Sequence, residues 1–136
     1  MFEQTSLFSA LLEQEPTADT PQHTAETVLA QTLEEAVFVV LDLETTGLSA
    51  TRNAITETTA IKYQNGKQLD IFSTLVQPKE PIPPEVEDLT GITNEMVRTA
   101  PPLLMVMNDL LNFLGPLPMI VGHNVTFDIG FLQAKA

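Results

Sequence analysis

An apolar run that ends in two carboxylates is the feature that most constrains this chain. The run VFVVLDL begins at Val37, is rich in β-branched residues and predicts a strand buried on both faces. Asp42 and Glu44 stand at its end, with Leu43 between them. Because side chains alternate between the two faces of a strand, both carboxylates point to the same side. Two anions about 7 Å apart repel each other, and a divalent cation between them removes that repulsion.

The segments that follow this strand predict an α/β domain over residues 37–136, with helices against a mixed sheet. Asn65-Gly66 supplies the positive φ angles of a tight hairpin turn. Thr99 is the predicted cap of a helix that carries two prolines in its first turn and ends near Gly115. A short strand, PMIV, then precedes a last helix that Asn124 is expected to cap.

Residues 1–36 predict an acidic, partly flexible extension rather than a second domain. They contain seven Asp or Glu residues and no Lys or Arg. The stretch EPTADTPQHTAET is polar, bears proline and has no apolar periodicity, so it reads as a linker. The stretches TSLFSALLEQ and AETVLAQTLEEA on either side have apolar residues at helical spacing.

Charge and composition exclude several classes of function. The net charge of −12 argues against nucleic-acid binding through a broad basic surface, so any contact requires metal ions or one small site. The absence of cysteine excludes disulfides and cysteine-ligated zinc. No apolar run approaches the roughly 20 residues that span a bilayer. Glu3 stands where a signal peptide would carry positive charge. These features predict a soluble, cytoplasmic protein without a membrane partner.

A third acid, Asp128, lies one turn into the last predicted helix. If that helix packs beside the first strand, Asp128 joins Asp42 and Glu44. Oxygen ligands of this kind suit Mg²⁺ or Mn²⁺, and three acids can hold two such ions about 4 Å apart for phosphodiester hydrolysis. On spacing alone, solvated carboxylates at a strand end remain an equal alternative.

Three motifs together resemble the DnaQ-like (DEDD) 3′-to-5′ exonucleases, especially the proofreading epsilon-type domains of bacterial DNA polymerase III. They are VVLDLETTGL, PIPPEVEDLTGIT and VGHNVTFDIGFL, which occur in the family's order between about Val37 and Leu132. The resemblance implies an RNase H-like fold, two Mg²⁺ or Mn²⁺ ions, and a single-stranded 3′ end as substrate, DNA rather than RNA. A polymerase or sliding clamp is the implied protein partner.

The same resemblance assigns individual residues. Those matching the catalytic metal-binding acids are Asp42, Glu44 and Asp128, and those matching substrate contacts are Thr45, Thr46, Gly47, Leu48, Glu85, Thr90 and Asn124. His123 precedes Asn124 in the family's HN pair, although a buried core histidine is an equal interpretation. Thr58-Thr59 stands where relatives have an apolar pair, and Glu57 is expected on the same strand face as Ile55.

The family's third motif, H-x(4)-D, does not occur in these 136 residues, whose histidines are His23 and His123. The resemblance therefore implies a C-terminally incomplete domain. Losing a general base typically costs about 10²–10⁴ in rate, so weak or absent activity is expected. The apolar residues of the last helix are expected to lack part of their packing; they are Phe127, Ile129, Phe131 and Leu132. The alternatives are a non-catalytic module that binds a clamp or polymerase, and an RNA-directed exonuclease.

The segment QTSLF near the start resembles the Q-x-x-L-F peptide with which bacterial replication proteins bind the sliding clamp. Gln4, Leu7 and Phe8 would be its anchors. An acidic linker behind it would raise the effective concentration of a tethered partner. An ordinary amphipathic helix explains the same residues.

Overall fold

The structure, a computed structural model, describes residues 34–136. The predictions for residues 1–33, including the clamp-binding peptide of Gln4, Leu7 and Phe8, lie outside this part. Its strands are β1 (Val37–Thr45), β2 (Ile55–Gln64), β3 (Lys67–Leu75) and β4 (Met119–Val121). Its helices are α1 (Pro84–Thr90), α2 (Asn94–Val97), α3 (Leu103–Leu114) and α4 (Val125–Lys135). None of these helices is long and apolar enough to cross a membrane.

The strands form one mixed sheet in the order β3-β2-β1-β4. β1 is antiparallel to β2 and parallel to β4. The turn between β2 and β3 has positive φ angles at Asn65 and Gly66, 51° and 70°. These angles are those of the tight hairpin turn that the Asn-Gly pair predicts. The predicted mixed sheet with helices against it is confirmed.

The first strand is buried on one face, so the prediction that both of its faces are buried is wrong. Val39, Leu41 and Leu43 are buried in the main core, together with residues of α3 and α4. Val40, on the opposite face, is 37% exposed. The helices of the described chain that supply the core thus contact one side of β1, and the other side keeps its apolar residues in contact with solvent.

Helix α4 is better packed than the sequence suggests. Phe131 and Leu132 were expected to lack part of their packing, yet both are buried in the core. The Phe131 ring also contacts that of Phe127, with centroids 4.9 Å apart. Phe127 and Ile129 are only partly buried, as expected. The main core, which includes residues of β1, β2 and α3, therefore covers the inner face of α4.

The start of α3 corrects the prediction that Thr99 caps it. The helix begins at Leu103, and its N-cap is Pro102 in extended conformation with ψ 154°. The preceding Pro101 carbonyl accepts a hydrogen bond from the Gln77 amide at 2.9 Å. A proline disfavours the helical conformation in the residue before it, so Pro101, which precedes Pro102, is a poor first residue for the helix. Its carbonyl bonds to Gln77 instead. Asn124 does precede α4, but with φ 52° its side chain makes no capping hydrogen bond.

Two buried threonine hydroxyls give a stability prediction. The hydroxyls of Thr56 and Thr58 have no hydrogen-bond partner in the described part of the chain. A buried hydroxyl without a partner loses its hydration and gains nothing in return, so Thr58→Val should stabilise the fold by about 1 kcal/mol. Urea denaturation measures the difference. The control is Thr59→Val, whose hydroxyl lies 3.2 Å from that of Ser73 and should give no gain. A Thr58→Val protein no more stable than the wild type contradicts the prediction.

Candidate functional site

The C-terminal end of β1 has no neighbouring strand, among those described, on the edge where α4 begins. β4 pairs only with Phe38, Val39 and Val40, so it stops before the carboxylates. The chain then passes tightly over β1 at Gly122, where a Cβ atom would lie 2.8 Å from the Leu41 carbonyl oxygen. This close approach delivers the N-terminus of α4 to the open edge of β1.

Gly122→Ala is therefore expected to destabilise the protein by about 1–3 kcal/mol, because the added methyl group forces β4 or α4 away from β1. Thermal unfolding monitored by circular dichroism measures the loss. The matched control is Gly130→Ala within α4, where an added Cβ meets nothing within 4 Å. Alanine is the better helix former, so the control should gain up to about 1 kcal/mol. Equal stability of the two variants would show that the contact at Gly122 is not tight.

A β-bulge at the same end arranges the second strand against the carboxylates. Glu44 pairs with Glu57 and Thr45 pairs with Ile55, so Thr56 is the extra residue. The bulge breaks the two-residue alternation: Ile55 lies in the core, whereas Glu57 is opposite Glu44. The expectation that Glu57 shares a face with Ile55 is wrong for this reason. Bulges commonly redirect side chains beside functional sites.

The three candidate carboxylates influence one another electrostatically. Partial burial raises the pKa of Glu44, and the charges of Asp42, Glu57 and Asp128 raise it further. Asp128 is only 3% exposed. Burial raises the pKa of Asp128 most, and the charge of Asp42 adds to the rise. The backbone N–H groups of Leu43 and of Asp128 itself act in the opposite direction. The structure thus places Asp128 against β1 and near the other two acids.

The chemistry of these side chains fits a hard divalent cation, but their arrangement is not a finished binding site. Carboxylate oxygens are the ligands that Mg²⁺ and Mn²⁺ prefer. Between residues 34 and 136, however, no three His, Cys, Asp or Glu side chains are placed so that they could hold one ion. Asp42, Glu44 and Asp128 therefore remain predicted ligands that lie within electrostatic reach of one another.

The turn that follows Glu44 is held by its own hydrogen bonds. The Thr45 hydroxyl donates to the Gly47 carbonyl at 2.7 Å. The Thr46 amide donates to the Ala54 carbonyl, and the Ala54 amide donates to the Thr46 hydroxyl, both at 2.9 Å. Leu48, at the tip, is 87% exposed. The turn therefore presents an apolar side chain to solvent beside the carboxylates.

The other predicted substrate residues lie on separate elements. Glu85 and Thr90 belong to α1, and the Thr90 hydroxyl donates to the Val86 carbonyl at 2.8 Å, within that helix. Asn124 is exposed at the start of α4, four residues before Asp128. His123 is exposed as well, so its interpretation as a core histidine is wrong.

Two residues of this site were not found from the sequence. Glu57 lies opposite Glu44 because of the β-bulge, and no local sequence pattern predicts that bulge. Asn53 accepts a hydrogen bond from the Ser49 amide at 2.9 Å and packs against Gly47. The only signal for Asn53 was its residue type, since asparagine side chains commonly bond to nearby backbone groups in turns.

Comparison with known proteins places this arrangement in a family. The sequence model of an exonuclease family, RNase_T, matches residues 39–136. The PolC-type DNA polymerase III of Halalkalibacterium halodurans is 43% identical over 101 residues, which are 74% of this chain and 7% of that polymerase. The PolC-type polymerase of Bacillus subtilis is 41% identical over 101 residues, with the same coverage. The chain thus matches only a small part of these relatives.

Solved structures agree on the fold. A complex named ExoI/SSB-Ct superposes with a TM-score of 0.64 at 21% identity, covering 72% of this chain and 23% of that one. The zinc-bound form of an E. coli exonuclease I complex with single-stranded DNA gives the same TM-score, identity and coverage. The mixed sheet and its helices are therefore the RNase H-like fold. The chain belongs to the DnaQ-like exonuclease family that its three motifs resemble.

Proposed function

We propose that this chain is an exonuclease domain that hydrolyses the 3′-terminal phosphodiester of single-stranded DNA with the help of divalent cations, in replication proofreading or repair. The observation that carries the proposal is that Asp128, Asp42 and Glu44 lie within electrostatic reach of one another. Burial and mutual repulsion raise the pKa of two of these groups. Such a concentration of like charge costs stability unless a ligand compensates for it, and perturbed carboxylates of this kind concentrate at functional sites.

Each part of the site has a distinct task in this proposal. Asp42, Glu44 and Asp128 would hold Mg²⁺ or Mn²⁺, with Asp128 kept in place by its burial against β1. Bound cations of this type make water a better nucleophile at neutral pH and neutralise charge on the phosphate. The turn from Thr45 to Leu48 would position the terminal nucleotide, with Leu48 in contact with its base. Glu85, Thr90 and Asn124 are further proposed substrate contacts.

Mn²⁺ titration of the melting temperature tests the cation site directly. A ligand at about 100 times its Kd stabilises the folded state by about 2.7 kcal/mol, which raises the melting temperature of a domain this size by roughly 10 °C. Asp42→Asn and Asp128→Asn should abolish the rise. Asp70→Asn on β3 is the control, since among residues 34–136 Asp70 accepts a hydrogen bond from the neighbouring Ile71 amide alone. A melting temperature independent of Mn²⁺ in the wild type would overturn the proposal.

The reaction is tested with a 5′-labelled single-stranded oligonucleotide and Mn²⁺. Shortening from the 3′ end one nucleotide at a time, lost in Asp42→Asn and kept in Asp70→Asn, is the expected result. A 3′-terminal phosphorothioate should slow it. An RNA oligonucleotide of the same sequence tests the RNA-directed alternative, which depends on contacts to the 2′ hydroxyl. Faster shortening of RNA than of DNA would favour that alternative.

A second candidate function is a non-catalytic module that binds a polymerase or sliding clamp. Two observations favour it: the described acids do not form a finished cation site, and the one described histidine, His123, is exposed. The two candidate functions predict different responses of the melting temperature to Mn²⁺. A module without a cation site should show a melting temperature that Mn²⁺ leaves unchanged and should still bind its partner. PolC-type relatives make a polymerase the partner to test first.

A further inference from the structure

The loop between β1 and β2 contains a side-chain clamp centred on Asn53. The side-chain Oδ1 of Asn53 accepts a hydrogen bond from the Ser49 backbone amide at 2.9 Å, and the backbone N–H of Asn53 donates to the Ser49 carbonyl at 2.8 Å. The same carboxamide lies directly against Gly47. A Cβ atom at Gly47 would be 2.6 Å from Oδ1 and 2.8 Å from Nδ2 of Asn53. One side chain therefore contacts the loop at two points, Gly47 and Ser49.

We infer that Asn53 is a positioning residue that holds the turn from Thr45 to Leu48 in the shape that binds the terminal nucleotide. This inference rests on the proposed function, because it concerns the substrate turn of that same site. Asn53 bonds to the backbone on one side of Leu48 and packs against it on the other. The exposed Leu48 side chain thus projects from a backbone that is fixed on both sides. A turn that is already held in its binding conformation loses little conformational entropy when the nucleotide binds. The affinity is therefore higher than for a flexible turn.

The chemistry of asparagine suits this position. Its carboxamide oxygen is an acceptor for the Ser49 amide, as an aspartate oxygen would be. Unlike aspartate, it adds no negative charge to a turn that directly follows the carboxylates of Asp42 and Glu44. Gly47 complements it, since the absence of a side chain there lets the planar carboxamide approach the backbone.

The test compares Asn53→Ala with the wild type in two measurements. Anisotropy in the presence of Mn²⁺ reports binding of a 5′-fluorescein oligothymidylate whose 3′-terminal linkage is a phosphorothioate that resists hydrolysis. Amide hydrogen exchange of Ser49 reports the clamp itself. Asn53→Ala should weaken oligonucleotide binding about fivefold to tenfold, the ratio expected for one lost hydrogen bond. Ser49 should exchange faster, while the Mn²⁺-induced rise in melting temperature stays as in the wild type.

Three further variants sharpen the result. Asn53→Asp keeps the acceptor oxygen and should keep the Ser49 amide protected. Thr51→Ala removes an exposed hydroxyl that lies 3.3 Å from the Ser49 hydroxyl. It leaves the contacts of Asn53 with the Ser49 amide and Gly47 in place, so this variant should bind as the wild type does. Gly47→Ala should weaken binding when Asn53 is present and have little further effect in the Asn53→Ala background, because the clash partner is then gone.

The outcomes separate this inference from the proposed function. Wild-type binding by Asn53→Ala, or unchanged exchange of its Ser49 amide, overturns the role of Asn53 alone. Equal losses in Asn53→Ala and Thr51→Ala, or simple additivity of Gly47→Ala and Asn53→Ala, also overturn it. A wild-type chain that does not bind the oligonucleotide contradicts the proposed function, and the role of Asn53 falls with it.

Discussion

Phe131→Ala is expected to lower the free energy of unfolding by about 3–5 kcal/mol, more than any other single change considered for this chain. Phe131 is among the largest fully buried side chains and packs in the core that β1, α3 and α4 share. Truncating its ring leaves a cavity that the sheet and the helices cannot close. Because small domains are stable by only about 5–15 kcal/mol, a large share of the variant could be unfolded at 37 °C.

Urea denaturation followed by circular dichroism measures this loss, and Phe127→Ala is the matched control. Both residues are phenylalanines of α4, and their rings contact each other, but Phe127 is only partly buried. Its truncation should therefore cost roughly half as much or less, because less apolar surface returns to water. Equal losses in the two variants would mean that the inner face of α4 is not fixed against β1 as described.

Acidification in the absence of divalent cations is expected to stabilise this protein. The pKa values of Glu44 and Asp128 are raised in the folded state above their ordinary values of 4.5 and 3.8. At a pH between the ordinary pKa of each group and its raised pKa in the folded state, the folded chain binds more protons than the unfolded chain. Stability from these two groups therefore increases as the pH falls from neutral through that window, and it is lost again as the pH rises.

The measurement is the urea midpoint at a series of pH values between 7 and 5, with and without Mn²⁺. Asp128→Asn removes one of the titrating groups, so its midpoint should depend less on pH and should exceed that of the wild type near pH 7. Saturating Mn²⁺ should reverse the wild-type trend, since protons then compete with the cation for the same oxygens. Asp70→Asn should follow the wild type. A wild-type midpoint that does not rise on acidification without Mn²⁺, or that changes with pH as much as the midpoint of Asp128→Asn, contradicts the assignment.

Local patterns were sufficient for several features because each depends on a few neighbouring residues. Asn65-Gly66 predicted the hairpin turn, since those residue types reach positive φ at low cost. The motif order predicted the family, which the sequence comparisons confirm. Thr99 failed as a helix cap because Pro101 pairs with Gln77, a contact 24 residues away that no local propensity includes.

The sequence by itself determined that Asp42 and Glu44 share one side of β1, because alternation along a strand is a local geometric rule. Only the tertiary structure decided what surrounds them. The extra residue at Thr56 turned Glu57 towards Glu44, and the packing of α4 buried Asp128 beside β1. The Asn53 clamp arose in the same way. These features depend on which distant segments meet, and pairing and packing across the whole sheet determine that.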